Sequence, residues 1–334
     1  MGGPADATLF VLGAAASLYA SWVLVARIER LGHRLGASDA LLGLSAALAG
    51  DSPEITSAAT AVAHHQQLVG AGVVLGSNVF NLAALLGLGA VVAGAVVLHR
   101  HVVEMSGAVA LAVAVVCLLS VVGVLPVAAA LALAVVVLLP YGFVLGAGPA
   151  RLRRLALPGR GRRWLERAAA EEDLEVHEGF HLPRRGRHDA LVGGVALVVV
   201  VAASVAMERA ASGLGQRLGV PGIVVGGLVL AAVTSVPNAV AAVYLARRRR
   251  GVAVLSTALN SNTINAVAGF LLPAAVVGTT SSGQGIFVAA WYVGLTVASL
   301  AFAWRHRGMR RSVGACIICA YAVFVASLVV VSSR

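Results

Sequence analysis

Residues 49–62 read AGDSPEITSAATAV, and residues 76–81 follow as GSNVFN. Both blocks return 184 positions later without a gap: residues 233–246 read VTSVPNAVAAVYLA and residues 260–265 read NSNTIN. Gly43 then lies over Gly227, Ala47 over Ala231, Pro53 over Pro237, Ala58 over Ala242, Ser77 over Ser261, Asn78 over Asn262 and Asn81 over Asn265. Such self-similarity at one fixed offset marks a chain built from two related halves. What the halves are depends on the sequence around them.

Of the 334 residues, 59% are apolar and 12% are charged, against about 25% charged in soluble domains. Stretches of about 20 apolar residues recur along the chain, long enough to cross a hydrocarbon layer. In lipid such stretches have to be helices, because no water satisfies bare backbone groups there. Ten fall at about 8–27, 38–64, 68–97, 102–123, 126–147, 189–211, 221–246, 251–279, 285–304 and 312–332. The expectation is an all-α polytopic membrane protein. Its first five-helix repeat is 1–147, with the motif at about 40–90. A charged loop follows at 148–188, and the second repeat is 189–334, with its motif at about 222–275.

The formal charge of +11 does not indicate nucleic acid, because the basic residues sit in clusters between apolar runs. All 25 are arginine. Arg27, Arg30 and Arg34 follow the first span, Arg100 the third, ten arginines the fifth, Arg247 to Arg250 the seventh, and Arg305, Arg307, Arg310 and Arg311 the ninth. The other face has only Arg209, Arg217 and the C-terminal Arg334. By the positive-inside rule both termini lie outside and the long middle loop in the cytoplasm, in a cell inner (plasma) membrane. Five spans separate the two motif copies. An odd number inverts the second copy, which gives two repeats of opposite orientation.

Inverted repeats with interrupted helices place a transport site near the midplane. Pro53 and Pro237 interrupt spans 2 and 7, since proline lacks the N–H that the ladder needs, and carbonyls freed in this way can hold cations. GSNVFN and NSNTIN set small polar residues at the same depth in spans 3 and 8. Asp51 and Glu54 carry the argument furthest. Each carboxylate at a helix centre costs about 2.5–3.5 kcal/mol on insertion scales. Three residues apart, the two share a helical face and repel. Such a pair is expensive unless a cation or proton compensates it, the alternative being buried carboxylates held by Asn or Ser partners.

These residues resemble the calcium/cation antiporter superfamily, the sodium/calcium exchanger membrane region. SPEITSAATAV with GSNVFN resembles its first α-repeat, and SVPNAVAAVYLA with NSNTIN resembles a diverged second one. The resemblance implies ten helices in two inverted halves, four of them forming the site. It implies alternating access, with Ca²⁺ moving one way and Na⁺ or H⁺ the other. Glu54 matches a family glutamate, Asn81 a polar ligand, and Ser77 and Ser261 hydroxyl ligands. The carbonyls of Ala47, Gly50, Ala231 and Thr234 match coordinating positions, and Thr234-Ser235 matches a Thr-Ser pair. Three positions depart from the pattern. Asn238 stands where the second glutamate is expected and Asn265 at a position that is acidic or amide in the family. Gly50-Asp51 replaces the first Thr-Ser pair. Asp51 and Glu54 together still give a charge of −2, which one divalent cation neutralises, and oxygen ligands suit Ca²⁺. The partners expected are inorganic cations and the lipid bilayer. No resident cofactor and no enzymatic activity are expected. A diverged cation-binding protein without transport, a channel, and an intramembrane acid/base enzyme are the competing readings.

The remaining features have simpler readings. Cys117, Cys316 and Cys319 lie in apolar helices as packing residues, despite the CxxC spacing of the last two. MGGPADATLF lacks a basic n-region, so the first apolar run reads as a retained helix. His64 to Gln67 form a short outer loop or a vestibule for cations. His177, His181 and His188 are a weak metal-binding candidate within a polar, partly helical linker. Glu104 and Glu208 lie near span ends, within reach of headgroups, and Arg247 to Arg250 anchor a helix end at the anionic leaflet. The glycine spacings of spans 3 and 7 suit close helix packing.

Overall fold

The computed structural model describes residues 3–35, 39–153, 159–177, 188–248, 251–279 and 281–333. All ten apolar stretches are helical there. Seven helices are long and apolar enough to cross a membrane: Gly3–Gly32, Gln67–Ala93, Arg100–Val122, Val127–Ala147, Asp189–Arg217, Gly283–His306 and Arg311–Ser332. The seventh stretch forms an eighth span as a bent pair, Gly222–Thr234 and Val236–Arg247, with a 45° bend. The second and eighth stretches do not meet that test. The second is divided into two helices of 12 residues, Asp39–Gly50 and Ser52–Ala63. The eighth, 251–277, is diluted by Asn260, Asn262 and Asn265.

Local chemistry explains the breaks. Pro53 and Pro237 each occupy the first turn of the second half-helix, where a missing N–H costs nothing. The carbonyl that Pro53 strands is that of Ala49. It does not stay free, because Ser52 Oγ donates to it at 2.6 Å and Ser21 Oγ at 3.1 Å. Spans 3, 7 and 8 each pass through a π-helical stretch, at Leu82–Leu88, Val225–Leu230 and Asn265–Leu271, span 7 ahead of its break at Ser235. Such local underwinding recurs at functional sites.

Span 3 is the centre of the molecule: 89% of its apolar window is buried, against 17% for Val127–Ala147 and 28% for Asp189–Arg217. The outer helices expose Trp22, Val136, Leu139 and Val198, which suits lipid contact. Spans 3 and 7 cross at glycines. A Cβ on Gly72 would meet Gly227 N at 2.8 Å, and one on Gly226 would meet Val69 O at 2.1 Å. The GxxxG spacing of Gly72 and Gly76 is therefore used inside the chain. Asn78 and Asn262, equivalent positions of the two repeats, exchange bonds. Each side-chain amide donates to the other's carbonyl, both at 3.0 Å. Reciprocal bonds between equivalent residues require a local two-fold axis between them.

The two faces are stitched separately. On the arginine-rich face Arg27 and Arg34 reach Asp189 at 2.9 and 3.0 Å. There also two short strands, Ala95–Val97 and Gly308–Arg310, pair antiparallel, an element not expected from the sequence. The linker forms a helix, Gly159–His177. Trp164 Nε1 donates to Glu104 Oε2 at 3.0 Å, and Glu171 meets His101 at 2.8 Å. On the opposite face Arg217 pairs with Asp6 at 2.7 Å and Arg209 with His64 at 3.0 Å. His181 and the side chain of His177 lie outside the described residues. Cys117 is buried among apolar side chains and, like Cys316 and Cys319, is a free thiol.

Candidate cation-binding site

Asp51 sits at the break of span 2, as the residue before the half-helix Ser52–Ala63, and Glu54 lies in the first turn of that half-helix. Both are fully buried, as are Ser77, Asn81, Ser235, Ser261 and Asn265. The sequence places the carboxylates on one face, but the structure gives them different partners. Asp51 Oδ1 accepts from Ser261 Oγ at 2.8 Å and from Asn238 Nδ2 at 3.1 Å. Glu54 Oε1 accepts from Ser235 Oγ at 2.8 Å. Every one of these donors belongs to the other repeat. Asp51 Oδ2 and Glu54 Oε2 are buried without a donor, and neither carboxylate takes part in an ion pair among the described residues.

The pseudo-two-fold orders these contacts. At the offset of 184, Asp51 corresponds to Ser235 and Glu54 to Asn238. The Ser235–Glu54 contact is thus the mirror of the Asp51–Asn238 contact. Around Asp51 Oδ1 the network is closed. Asn238 also donates to Asn81 Oδ1 at 3.2 Å and to Ser261 Oγ at 3.3 Å, while Asn81 Nδ2 donates to Ser261 Oγ and Asn262 Oδ1, both at 3.2 Å. The mirror set is Ser235, Glu54, Ser77 and Asn265. It keeps only the Ser235–Glu54 bond, and Ser77 Oγ and both polar atoms of Asn265 are buried without partners. One half of the site is satisfied internally except at Asp51 Oδ2, while the other presents several bare polar atoms.

Ser57, one turn beyond Glu54, adds a buried hydroxyl without a partner. Its spacing of three puts it on the helical face of Glu54, a signal shared by many small residues of packed helices. The backbone positions are less open. Ala47 O accepts Asp51 N–H at 2.8 Å, Ala231 O accepts Ser235 N–H at 3.1 Å, and Gly50 O accepts Ser21 Oγ at 3.2 Å. The Thr234 hydroxyl turns back to Leu230 O at 2.9 Å. Ala47 O and Gly50 O each retain a second lone pair, while Ala231 O also meets the Thr234 hydroxyl at 3.4 Å. The described residues contain no cluster of three or more His, Cys, Asp or Glu side chains. A cation at this site would therefore take two carboxylate oxygens and fill its shell from neutral oxygens. That donor chemistry fits a hard cation.

One feature near a face differs from expectation. Glu208 does not extend to headgroups; it is buried, with Ser212 Oγ donating to it at 2.7 Å. A bonded, desolvated carboxylate is held by its neighbour one turn along rather than snorkelling outward. His65, Gln66 and Gln67 line a cleft of about 390 Å³ with Ser212 and Gln216.

Comparison with known proteins agrees with this architecture. Residues 6–147 and 188–330 match the family model described as sodium/calcium exchanger protein. A protein of Alkalimonas amylolytica named as an antiporter, CaxA, is 34% identical over 88 residues, which span 26% of this chain and 28% of that protein. Among solved structures, the sodium-calcium exchanger NCX_Mj soaked with Na⁺ and Sr²⁺ superposes with a TM-score of 0.58 at 18% identity, covering 98% of this chain and 99% of that one. The same exchanger soaked with zero Na⁺ and Ca²⁺ gives 0.54 at 18% identity, covering 97% and 98%. At that identity the likeness concerns the fold. The sequence match over both repeats, with that fold, makes the chain a multi-pass membrane protein of the sodium/calcium exchanger family.

Proposed function

We propose that the chain is a secondary active antiporter that exchanges Ca²⁺ for Na⁺ or H⁺ by alternating access. The observation that carries this is the pair of buried carboxylates, each with one oxygen bonded across the repeat interface and one without a donor. Charge buried in this way is tolerated in a membrane protein where a cargo ion compensates it. Glu54 and Asp51 supply the charge. Ser77, Ser57 and Asn265 supply donors on the open side, with Asn81, Asn238, Ser235, Ser261 and Thr234 around them and the carbonyls of Ala47, Gly50 and Ala231 within the same shell. The arginine-rich face is cytoplasmic, the termini are outside, and the membrane is the cell's inner (plasma) membrane.

The two repeats suit alternating access. Their halves meet at the site through bonds from donors of one repeat to carboxylate acceptors of the other, so tilting one repeat against the other opens the site to one side at a time. The test is ⁴⁵Ca²⁺ uptake into proteoliposomes under separate Na⁺ and H⁺ gradients. Uptake driven by one gradient is expected, and it is lost in Glu54→Gln and in Asp51→Asn. Glu54→Gln transporting at the wild-type rate would remove the site assignment. Cation-dependent thermal stabilisation without flux would instead favour a binding protein that does not transport.

A further inference from the structure

We propose that spans 1 and 6 hold the phosphate of an anionic phospholipid at the arginine-rich face, through Arg27 and Arg30. Such a site is independent of which ions the chain exchanges. Gly3–Arg34 and Asp189–Arg217 lie antiparallel and are clasped at both ends. At one end Arg217 meets Asp6 at 2.7 Å, and at the other Arg34 meets Asp189 at 3.0 Å. In these two helices the repeat offset is 183, so Asp6 corresponds to Asp189 and Arg34 to Arg217. The two clasps are equivalent, each joining an acid to an arginine.

The arginine-rich end carries two arginines more. Arg27 reaches Asp189 Oδ1 at 2.9 Å, and Arg30 lies 3.6 Å from the same oxygen, beyond hydrogen-bonding distance. Their equivalents at the other end are Ala210 and Gly213. A Cβ on Gly213 would lie 3.9 Å from Asp6 Oδ2, so Gly213 faces Asp6 as Arg30 faces Asp189. The outer clasp forms with an alanine and a glycine at these positions. Arg27 and Arg30 are therefore surplus to joining the two helices.

Their charge is also surplus. Three guanidinium groups share the one carboxylate of Asp189. The next acid, Glu29, is buried and enters no ion pair among the described residues. With both acids counted as charged, cations still outnumber anions. The C-terminus of Gly3–Arg34 and the N-terminus of Asp189–Arg217 meet here, and their partial charges oppose each other. Nε of Arg27 and of Arg30 is buried without an acceptor, while the two side chains stay 28% and 17% exposed. An anion can reach them from outside.

The surroundings favour a phospholipid over a free anion. Two guanidinium groups three residues apart share a helical face, and their forks suit the oxygens of one phosphate. Deeper along the same helices, Trp22, Leu191, Val195 and Val198 are each more than half exposed. Nothing lies within 4 Å of a Cβ added at Gly194, which leaves open space beside Leu191 and Val195. A phospholipid covers the arginines with its headgroup and this apolar surface with its chains. Basic residues at a membrane face attract anionic headgroups.

Native mass spectrometry of the full chain in detergent counts bound molecules by mass. Phosphatidylglycerol, phosphatidylcholine and inorganic phosphate are titrated separately. Phosphatidylglycerol is expected to bind more tightly than phosphatidylcholine, and Arg30→Gln to weaken it about fivefold. Arg305→Gln removes the same charge from an exposed helix end on the same face and should leave phosphatidylglycerol binding at the wild-type affinity. Equal affinity for the two lipids would overturn the site. Equal weakening by Arg30→Gln and Arg305→Gln would replace it with diffuse surface attraction. Inorganic phosphate bound as tightly as phosphatidylglycerol would make the occupant a free anion and overturn the lipid assignment. If Arg30→Gln fails to fold, Arg30→Lys takes its place: it keeps the charge and loses the fork, so weaker binding is expected and wild-type affinity overturns the forked contact.

Discussion

Replacing Gly76 with alanine would put a Cβ 2.4 Å from the Gly227 carbonyl oxygen and 2.5 Å from Gly227 Cα. Both atoms are backbone of the opposite repeat, so no side-chain rotation relieves the clash. Ordinary contact begins near 3.4 Å, so the crossing of spans 3 and 7 has to open by about 1 Å, an overpacking that costs roughly 3 kcal/mol, at the upper end of its class. For a chain of this length that lowers Tm by about 4 °C. Function is affected as well, because Ser77 and Asn81 follow Gly76 on the same helix. The Asn238–Asn81 bond is already 3.2 Å, and a further ~1 Å takes it beyond hydrogen-bonding distance. Thermal unfolding in detergent and cation flux in proteoliposomes would be measured on the same preparation. Gly142→Ala is the control, since nothing lies within 4 Å of its added Cβ. Gly76→Ala with a Tm within about 1 °C of wild type and undiminished flux would refute the close crossing.

Asp189→Asn leaves Arg27, Arg30 and Arg34 facing one another without their shared anion. Its Tm should fall more than that of Arg27→Ala, and the gap should narrow at 1 M salt, where the Debye length is about 3 Å. Trp164→Ala removes the linker helix's donor to Glu104. Trypsin cleavage at Arg160 to Arg163 in intact proteoliposomes should quicken about tenfold, the equivalent of ~1.4 kcal/mol of local opening. Glu208→Ala leaves Ser212 without its buried acceptor and should lower stability by roughly 1–3 kcal/mol, whereas Glu208→Gln keeps an acceptor and should lie near wild type in the same melting assay.

The sequence made the helix breaks and the small-residue crossing legible because the residues there allow few alternatives. A proline two-thirds of the way along an apolar stretch has to start a new helical segment. Glycines four apart in a buried helix permit an approach that no other residue does. Position alone misled at Glu208. A carboxylate near a span end normally snorkels, but Ser212 one turn on gives it a partner inside. Ser57 resembles any small residue of a packed helix, and the sequence does not say that its hydroxyl lacks a partner. The strands Ala95–Val97 and Gly308–Arg310 are three residues long, too short for a two-residue period to register.

The departures of the second repeat read as isolated losses in the sequence, but the fold joins them. Across the pseudo-two-fold, position 51 faces position 238 and position 54 faces position 235. Asn238 Nδ2 lies 3.1 Å from Asp51 Oδ1. An acid at both positions would set two carboxylates at that distance, repelling by about 5 kcal/mol at an effective dielectric of ~20. An amide at both would leave Glu54 as the only charge in the site. Aspartate at 51 and asparagine at 238 therefore form one coupled choice: the charge sits in the first repeat and its donor in the second. The neighbouring contact obeys the same rule, with Glu54 in the first repeat and Ser235 donating from the second. The scaffold is two-fold while its chemistry is polarised, every anion on one repeat and every hydrogen-bond donor to those anions on the other. In the proposed tilting of the repeats, the bonds that the two carboxylates lose are all of one kind, serine or asparagine leaving an acid oxygen. In the proposed mechanism a bound cation would keep those carboxylates compensated through the motion.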